Sequence, residues 1–305
     1  MHIDPDLLAV ATDAELAAYE TALMSEAALA SPADYGEALA KEGVHLGTPF
    51  ERPAHVDLIS ETLTALIEGR LLKPNGRPFR KLMVALPPRH GKSELISRYA
   101  PAWYLTKYPE RKVMVVGYSD EFAAGFGRDA RTLVEQAPEW LTTPLRQDTK
   151  AAHRWLTEAN GAMFTAGIGG PLTGRGGHYI VIDDPIKSSA EAQSETVRQA
   201  HWDWVQSTVM TRREPGAVVV LVATRWHESD LTGKFLEWEG DDWYQLVLPA
   251  IAGEDDPLGR APGEALWESR IPLDELEEIR DGGDESMYWW SAMYQQSPSV
   301  EGGGI

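Results

Sequence analysis

The sequence predicts an α/β fold in which a mostly parallel β-sheet is flanked by helices. Four short apolar segments have the length and composition of buried strands, and a helical pattern follows each of them. These segments are Lys81–Leu86, Lys112–Tyr118, Tyr179–Ile182 and Ala217–Ala223. Strands that alternate with helices pair in parallel through right-handed crossovers.

Two weaker signals add strands to this sheet. Trp243–Leu248 is a last strand candidate, and His153–Leu156 with Ala162–Ala166 fits a small hairpin around Asn160-Gly161.

The composition excludes several classes of function. The chain has 305 residues, enough for one large core or for one core with a small satellite domain. It has no cysteine, which excludes disulfides and thiol nucleophiles. No apolar run approaches about 18 residues, and the acidic, alanine-rich N-terminus is unlike a signal peptide. We expect a soluble intracellular protein without a membrane partner.

The net charge of −19 is unevenly distributed. Residues 1–50 carry −8 and residues 237–305 carry −14, whereas residues 51–236 carry +3. The acidic residues are concentrated at the ends, so the mildly basic middle permits a surface that contacts a DNA backbone.

The principal motif follows the first strand candidate. Pro87-Pro88 ends that strand, and a helix opens at Gly91-Lys92-Ser93. In a phosphate-binding loop (P-loop), backbone N–H groups hold the anion, the lysine reaches the β- and γ-phosphates, and the serine hydroxyl binds Mg²⁺. The tripeptide alone fits a capped helix start equally well. The strand before it and the helix after it favour nucleotide binding, although Leu86 stands where the generic motif has glycine.

We therefore predict an ATP site with bound Mg²⁺ at this loop. The loop residues predicted to bind the nucleotide are Pro88, Arg89, His90, Gly91, Lys92, Ser93 and Glu94. Many motor ATPases place adenine contacts just before the first strand, where Phe50, Arg52 and His55 are candidates. An ordinary helix start with polar surface groups explains these three residues equally well.

A second nucleotide-related pattern follows the third strand. Tyr179–Ile182 ends in Asp183-Asp184-Pro185, at the edge where a parallel sheet opens its ligand crevice. Asp183 can hold Mg²⁺, together with Ser93. Asp184 occupies the place of a general base that orients water, where the usual residue is glutamate. A strand-to-loop turn is the alternative interpretation, and the presence of Lys92 disfavours it.

Two further segments carry candidate residues. Thr224 follows the strongest strand and is placed to sense the γ-phosphate, or alternatively to cap a helix that begins near Glu228. Residues 167–177 hold six glycines and one charged residue, Arg175. A lone cation on a mobile loop is well placed to add charge to a phosphoryl transition state.

The regions on either side of this core differ from it. Residues 1–45 have helical spacing among alanines and predict a peripheral helical arm, before a core that spans residues 46–249. Residues 250–305 are acidic, with two short helix candidates and a glycine-rich end, and predict a small helical lid followed by a linker.

The motifs together resemble the large terminase subunit of tailed bacteriophages, the DNA-packaging motor. The resemblance covers about residues 46–300, and it rests on four segments in one order: PPRHGKS, LTGRGGHYIVIDDP, VVLVATRWHESDLTG and YWWSAMYQQSP. The terminase loop typically lacks the first glycine and carries an arginine, as Arg89 does here. The resemblance implies a RecA-like P-loop NTPase fold.

The resemblance also implies a role for each candidate residue. Arg89 would contact the γ-phosphate within its own subunit, and Arg175 would be an arginine finger donated to the neighbouring subunit. Asp184 takes the place of the catalytic carboxylate, and Thr224 belongs to the coupling motif.

The implied partners are those of a packaging motor. They are double-stranded DNA, the portal protein, the small terminase subunit and further copies of the chain, which would form a pentameric ring on the procapsid and be monomeric in solution. The implied location is the host cytoplasm, docked transiently on the procapsid. Full-length members carry a nuclease domain after the ATPase, and this chain ends where that domain would begin. We therefore expect ATPase activity without DNA cleavage.

Two other functions remain open at this stage. A helicase-like DNA translocase would need a second RecA-like domain, for which the chain is too short. A nucleotide-dependent switch or scaffold would bind ATP without useful hydrolysis, which the aspartate at position 184 slightly favours.

Overall fold

The computed structural model describes residues 12–172, 174–282 and 284–298, and in them one eight-stranded sheet. The spatial order of the strands is β3-β4-β5-β2-β6-β7-β1-β8. The strands are β1 (Lys81–Ala85), β2 (Lys112–Gly117), β3 (Leu145–Ala151), β4 (Arg154–Thr157), β5 (Ala162–Gly167), β6 (Gly177–Asp183), β7 (Arg213–Ala223) and β8 (Trp243–Val247).

The six strands from β5 to β8 in this order pair in parallel, which confirms the predicted mostly parallel sheet. β1 lies between β7 and β8, and β6 lies beside β7. Parallel strands end at the same edge of a sheet, so the segments after β1, β6 and β7 meet there. The predicted hairpin is also confirmed, because β4 pairs antiparallel with β5. The polar strand β3 extends this hairpin at the edge of the sheet and was not predicted.

Helices cover both faces of the sheet. They are α1 (Asp13–Ala28), α2 (Pro32–Lys41), α3 (Ala54–Ile67), α5 (Asp120–Gln136), α6 (Ser189–Gln193), α7 (Glu195–Trp204), α8 (Leu231–Glu239), α9 (Leu273–Asp281) and α10 (Asp284–Trp289). The helix after β1, called α4, consists of Lys92–Glu94, a π-helical turn at Leu95–Tyr99 and Ala100–Lys107. π-Helical turns also extend α7 over Val205–Val209 and α10 over Trp290–Tyr294.

Successive residues of the central strands face two separate cores. Leu82 and Val84 of β1 lie in the larger core with α3, α4 and α5, whereas Met83 lies in the core on the other face. This second core is closed by the end of α7 and by α8, which contribute Val209 and Phe235. Because both faces are covered, the middle residues of these strands are apolar at successive positions, as the sequence showed.

The two helices of the N-terminal region differ in burial. Most of α1 is exposed, whereas Tyr35 and Leu39 of α2 are fully buried in the larger core. Trp103 of α4 donates a hydrogen bond to the carbonyl of Leu29 at 3.0 Å. The C-terminal region has a small core of its own, formed by Ala250, Leu276 and Trp290. The domain limits at residues 45 and 249 remain predictions, and residues 1–11 and 299–305 of the predicted arm and linker lie outside the described residues.

Among the described helices, none combines the length and the apolar character that crossing a membrane requires.

Two glycines of α5 offer a matched test of how this helix packs. Gly125 has open space where a Cβ would lie, whereas a Cβ on Gly127 would lie 2.2 Å from the carbonyl oxygen of Ala152. We expect Gly125→Ala to raise the free energy of unfolding by about 0.5–1 kcal/mol, because alanine is the better helix former. Gly127→Ala should lower it by about 1–3 kcal/mol through overpacking. Urea unfolding measures both, and equal effects of the two substitutions would contradict the described contact between α5 and the β3–β4 turn.

Candidate nucleotide-binding site

The loop between β1 and α4 folds as a phosphate-binding loop. Its backbone is left-handed at Arg89 (φ 66°) and at Gly91 (φ 80°), and α4 begins at the next residue, Lys92. Glycine suits the second of these positions because it has no Cβ to strain. Arg89 adopts its unusual φ as a non-glycine residue, and its side chain is exposed. Leu86, where the generic motif has glycine, is fully buried in the larger core.

Two histidines hold this loop from its buried side. His55 of α3 donates from Nε2 to the carbonyl of His90 at 2.9 Å, and His90 donates from Nδ1 to the carbonyl of Pro88 at 2.8 Å. Each bonded nitrogen must carry the hydrogen, since a carbonyl only accepts. Burial lowers the pKa of His90, and it lowers the pKa of His55 to about 4. Both imidazoles are therefore neutral at pH 7, and they fix the path of the loop.

Two of the three upstream candidates, Arg52 and His55, do not line the cavity above the loop. His55 lies beneath the loop, and Arg52 forms ion pairs with Asp34, Glu37 and Asp57 at 2.5–2.8 Å. Neither side chain lines the cavity above the loop, so the structure does not place either of them to contact a base. Phe50, the third candidate, does line this cavity.

Lys92 joins the three strand ends that meet beside the loop. Its side chain is buried, and its Nζ lies 3.0 Å from Oδ2 of Asp184, which follows β6. The same ammonium donates a hydrogen bond to Oγ1 of Thr224, which follows β7. The backbone N–H of Thr224 in turn donates to Oδ1 of Asp184 at 2.8 Å. The structure thus brings together three of the predicted residues from positions up to 132 residues apart.

Asp184 holds this position with a strained backbone. Its φ is 40°, in the left-handed region that non-glycine residues rarely adopt. Its own N–H donates to the carbonyl of Val222 at 2.9 Å, which keeps β6 and β7 paired beyond Asp183. Thr224 does not cap a helix, because Asp230 caps α8 by accepting from the N–H of Gly233 at 2.9 Å.

Asp183 is fully buried at the end of β6 and accepts hydrogen bonds from two serines of α4. Ser93 donates to Oδ1 at 2.9 Å, and Ser97 donates to Oδ2. Burial raises the pKa of the Asp183 carboxyl, and the nearby charge of Asp184 raises it further. A carboxylate and a hydroxyl form the sparse all-oxygen donor set that suits Mg²⁺, which keeps several of its waters. Ser93 and Asp183 therefore fit the predicted metal role, and Ser97, which was not predicted, lies one helical turn from Ser93.

A cavity opens between the loop and two distant segments of the chain. The loop residues on its wall include Arg89, Gly91, Lys92, Ser93 and Glu94. Burial raises the pKa of Glu94, which is partly exposed there. The remaining walls come from residues 48–51 before α3, from Arg98 of α4, and from Trp267 and Arg270. Arg98, Trp267 and Arg270 were not predicted as site residues, because nothing in their local pattern marks them as neighbours of the loop.

Arg175 precedes the first residue of β6, whereas Asp183 and Asp184 stand at the other end of this strand. The Arg175 guanidinium is 5.2 Å from the ring centroid of Phe164 of β5, and it lines a separate cleft with Asp120 and His153. β2, β6 and β7 separate β5 from β1. Arg175 is not among the described residues that line the cavity at Lys92, so the structure does not join it to that site within one chain.

The fold and this loop define a class of protein. A parallel sheet with a phosphate-binding loop after β1, and with an acid at the end of β6 beside it, is the RecA-like P-loop NTPase fold. A family model described as "Terminase large subunit, T4likevirus-type, N-terminal" matches residues 83–281, which is more than half of the chain. The chain therefore belongs to the large terminase family.

The chain shares its fold with a solved large terminase. The large terminase of bacteriophage HK97 aligns with a TM-score of 0.52 at 13% identity, over 83% of this chain and 52% of that one. The ATPase domain of the Thermus phage P74-26 large terminase aligns with a TM-score of 0.48 at 14% identity, over 72% of this chain and 89% of that domain. The chain thus spans about half the length of the HK97 protein. No curated protein matches it in sequence.

The histidine beneath the loop predicts a pH dependence of stability. The pKa of His55 falls from 6.5 to about 4 on folding, so the unfolded chain takes up the proton first as the pH decreases. Wild-type stability should therefore be highest above pH 6.5 and decrease by about 3 kcal/mol between pH 6.5 and pH 4 from this group.

His55→Gln provides the control for this prediction, because its amide N–H can replace the Nε2 donor without titrating. Thermal unfolding from pH 8 to pH 4 should show a flatter profile for His55→Gln than for the wild type. Parallel profiles would show that His55 is not the group responsible.

Proposed function

We propose that this chain is the ATP-hydrolysing motor of a large terminase, which translocates double-stranded viral DNA into a procapsid. The proposal rests on the contacts of Lys92, at the start of α4, with Asp184 after β6 and Thr224 after β7. The Ser93–Asp183 hydrogen bond lies beside these contacts. ATP is the substrate, and the cavity beside Lys92 is its site. Membership of the terminase family supports the coupling to DNA packaging.

The geometry suggests how the chain would prepare the reaction. Lys92 leaves Asp184 when phosphate oxygens become available, because a polyphosphate offers more negative charge than one carboxylate. Asp184 is then free to orient a water molecule for in-line attack on the γ-phosphate. Arg89, exposed at the left-handed turn of the loop, contacts the same phosphate. Mg²⁺ held by Ser93 and Asp183 would neutralise charge on the β- and γ-phosphates.

Arg175 is proposed to act on the neighbouring subunit of a ring. Its distance from the Lys92 cavity within one chain supports this assignment, since a finger that acts in trans has to reach outward. The aromatic face of Phe164 supports the guanidinium from below. A pentameric ring would then have active sites at the interfaces, and a monomer would hydrolyse ATP poorly.

A hydrogen bond links the reaction site to the C-terminal helices. Two residues beyond Thr224, the carbonyl of Trp226 accepts from the hydroxyl of Tyr288 of α10 at 2.7 Å. The ring centroids of Trp226 and Trp289 are 5.8 Å apart, and their planes meet at 75°. Movement of Thr224 on loss of phosphate would pass through these contacts to the lid.

The proposed partners follow from the motor role. They are double-stranded DNA, the portal protein, the small terminase subunit and further copies of the chain. We propose that the protein works in the host cytoplasm while docked on the procapsid. Portal binding distinguishes packaging from a helicase-like role, since DNA stimulation of hydrolysis is common to both.

Steady-state ATP hydrolysis tests the proposal when it is measured over a range of protein concentrations. Specific activity should rise with concentration, and Lys92→Ala should reduce it by about 10²-fold or more. Arg175→Ala should reduce it by about 10³-fold. Arg146→Ala is the matched control, because Arg146 is exposed and pairs locally with Asp148.

An equal mixture of the two inactive variants tests the trans assignment. If sites act independently, random pairing across a head-to-tail interface restores roughly one quarter of the wild-type rate. Normal hydrolysis by Arg175→Ala would disprove the finger assignment. If the wild type binds ATP without turnover, the protein is a nucleotide-dependent switch and not a motor.

A further inference from the structure

The segment that follows β8 returns to the mouth of the phosphate-binding loop. It is fastened at its start by Arg260, which forms an ion pair with Asp256 and donates to the carbonyls of Pro249 at 3.0 Å and Glu264 at 3.1 Å. The N–H of Leu266 donates to the carbonyl of Ala250 at 2.8 Å. These bonds give an irregular segment a defined path, so the side chains just after it have a defined position.

Leu266 anchors this segment in the larger core, and Trp267 follows it at the cavity. The indole of Trp267 meets the ring of His55 edge-on, with centroids 5.3 Å apart, and lies 6.5 Å from the ring of His90. These are the two histidines that hold the phosphate-binding loop. Trp267 is partly exposed and lines the same cavity as Lys92 and Phe50. The cavity therefore has one aromatic side chain from the segment before α3 and one from the segment after β8.

Arg270 also lines the cavity, and its positive charge has only a long ion pair with Glu51. Its guanidinium lies 5.3 Å from the centroid of the Trp267 indole, and it reaches the carboxylate of Glu51 only at 3.5 Å. Both partners of that ion pair are about half exposed. Such a pair contributes little to stability. A phosphate group would give Arg270 a shorter, charge-assisted contact than Glu51 does.

We propose that Trp267 and Arg270 form the outer half of the nucleotide site, with the indole stacking on the base and the guanidinium moving from Glu51 to a phosphate. This inference rests on the proposed function and deepens it. Leu273 begins α9 only three residues after Arg270, so a nucleotide held in this way is tied directly to the C-terminal helices. The lid would then close on ATP through contacts within one subunit, independently of Arg175.

Ligand affinities distinguish base stacking by Trp267 from phosphate binding by Arg270. Dissociation constants are measured by calorimetry with Mg²⁺ for a slowly hydrolysed ATP analogue, the matching GTP analogue and inorganic tripolyphosphate. Trp267→Ala should weaken the binding of both nucleotides by about 5- to 100-fold, because stacking tolerates any base. It should leave the binding of tripolyphosphate unchanged. Trp267→Phe should recover most of the loss. Arg270→Ala should weaken all three ligands by about 10-fold or more.

The controls are chosen to resemble the tested residues. Trp238 is 72% exposed and is not among the described residues of the cavity, and Arg146 is an exposed arginine with a local partner. Trp238→Ala and Arg146→Ala should bind all three ligands as the wild type does. Thermal unfolding verifies that each variant is folded.

The possible failures are distinguishable. If the wild type binds the nucleotides and both cavity variants bind them equally well, this inference is wrong and the proposed function stands. If Trp267→Ala also loses tripolyphosphate, the indole supports the loop and does not stack on a base, which overturns its assignment. If the wild type binds none of the ligands, the proposed function itself fails.

Discussion

The site depends on one interaction, the pairing of the buried Lys92 ammonium with Asp184 and Thr224. A buried charge requires a partner, because desolvation without one is strongly unfavourable. The parallel order β1-β7-β6 provides that partner by bringing three strand ends to one edge. Three local features position the groups of this contact. α4 begins at Lys92, Asp184 adopts its strained φ, and β7 ends just before Thr224. Any ligand that enters must offer Lys92 a better partner.

Charge balance underlies the proposal that the site binds a polyphosphate together with a cation. Two adjacent aspartates face one lysine, and burial raises the pKa of Asp183. A divalent cation beside Ser93 would stabilise the Asp183 carboxylate, and the phosphates would then be met by Lys92 and Arg89. The neutral histidines beneath the loop add no charge, so they fix its shape without competing for the anion. Two residues beyond Thr224, the carbonyl of Trp226 accepts a hydrogen bond from Tyr288 of the C-terminal helices.

Local pattern was enough to predict most of the fold and to select Lys92, Asp184 and Thr224, which the structure brings together. The strands were apolar on both faces, and the loop and Asp183 occupy fixed places relative to them. β3 was missed because an edge strand of sequence LRQDTKA has no apolar run. Arg52 was assigned to the base because its ion pairs with Asp34, Glu37 and Asp57 leave no mark in local sequence. Trp267 and Arg270 lie about 175 residues beyond Lys92 in the chain, and only tertiary folding brings them to the cavity.

The most direct test of this account is the affinity of Asp184→Asn for ATP with Mg²⁺, measured together with its turnover. If Asp184 holds Lys92 in the resting site, removing its charge should tighten ATP binding by about 10-fold and slow hydrolysis by about 10²-fold or more. Asp203→Asn, at an exposed position of α7, should change neither quantity. Weaker or unchanged ATP binding by Asp184→Asn would contradict the claim that this ion pair is the contact a nucleotide has to replace.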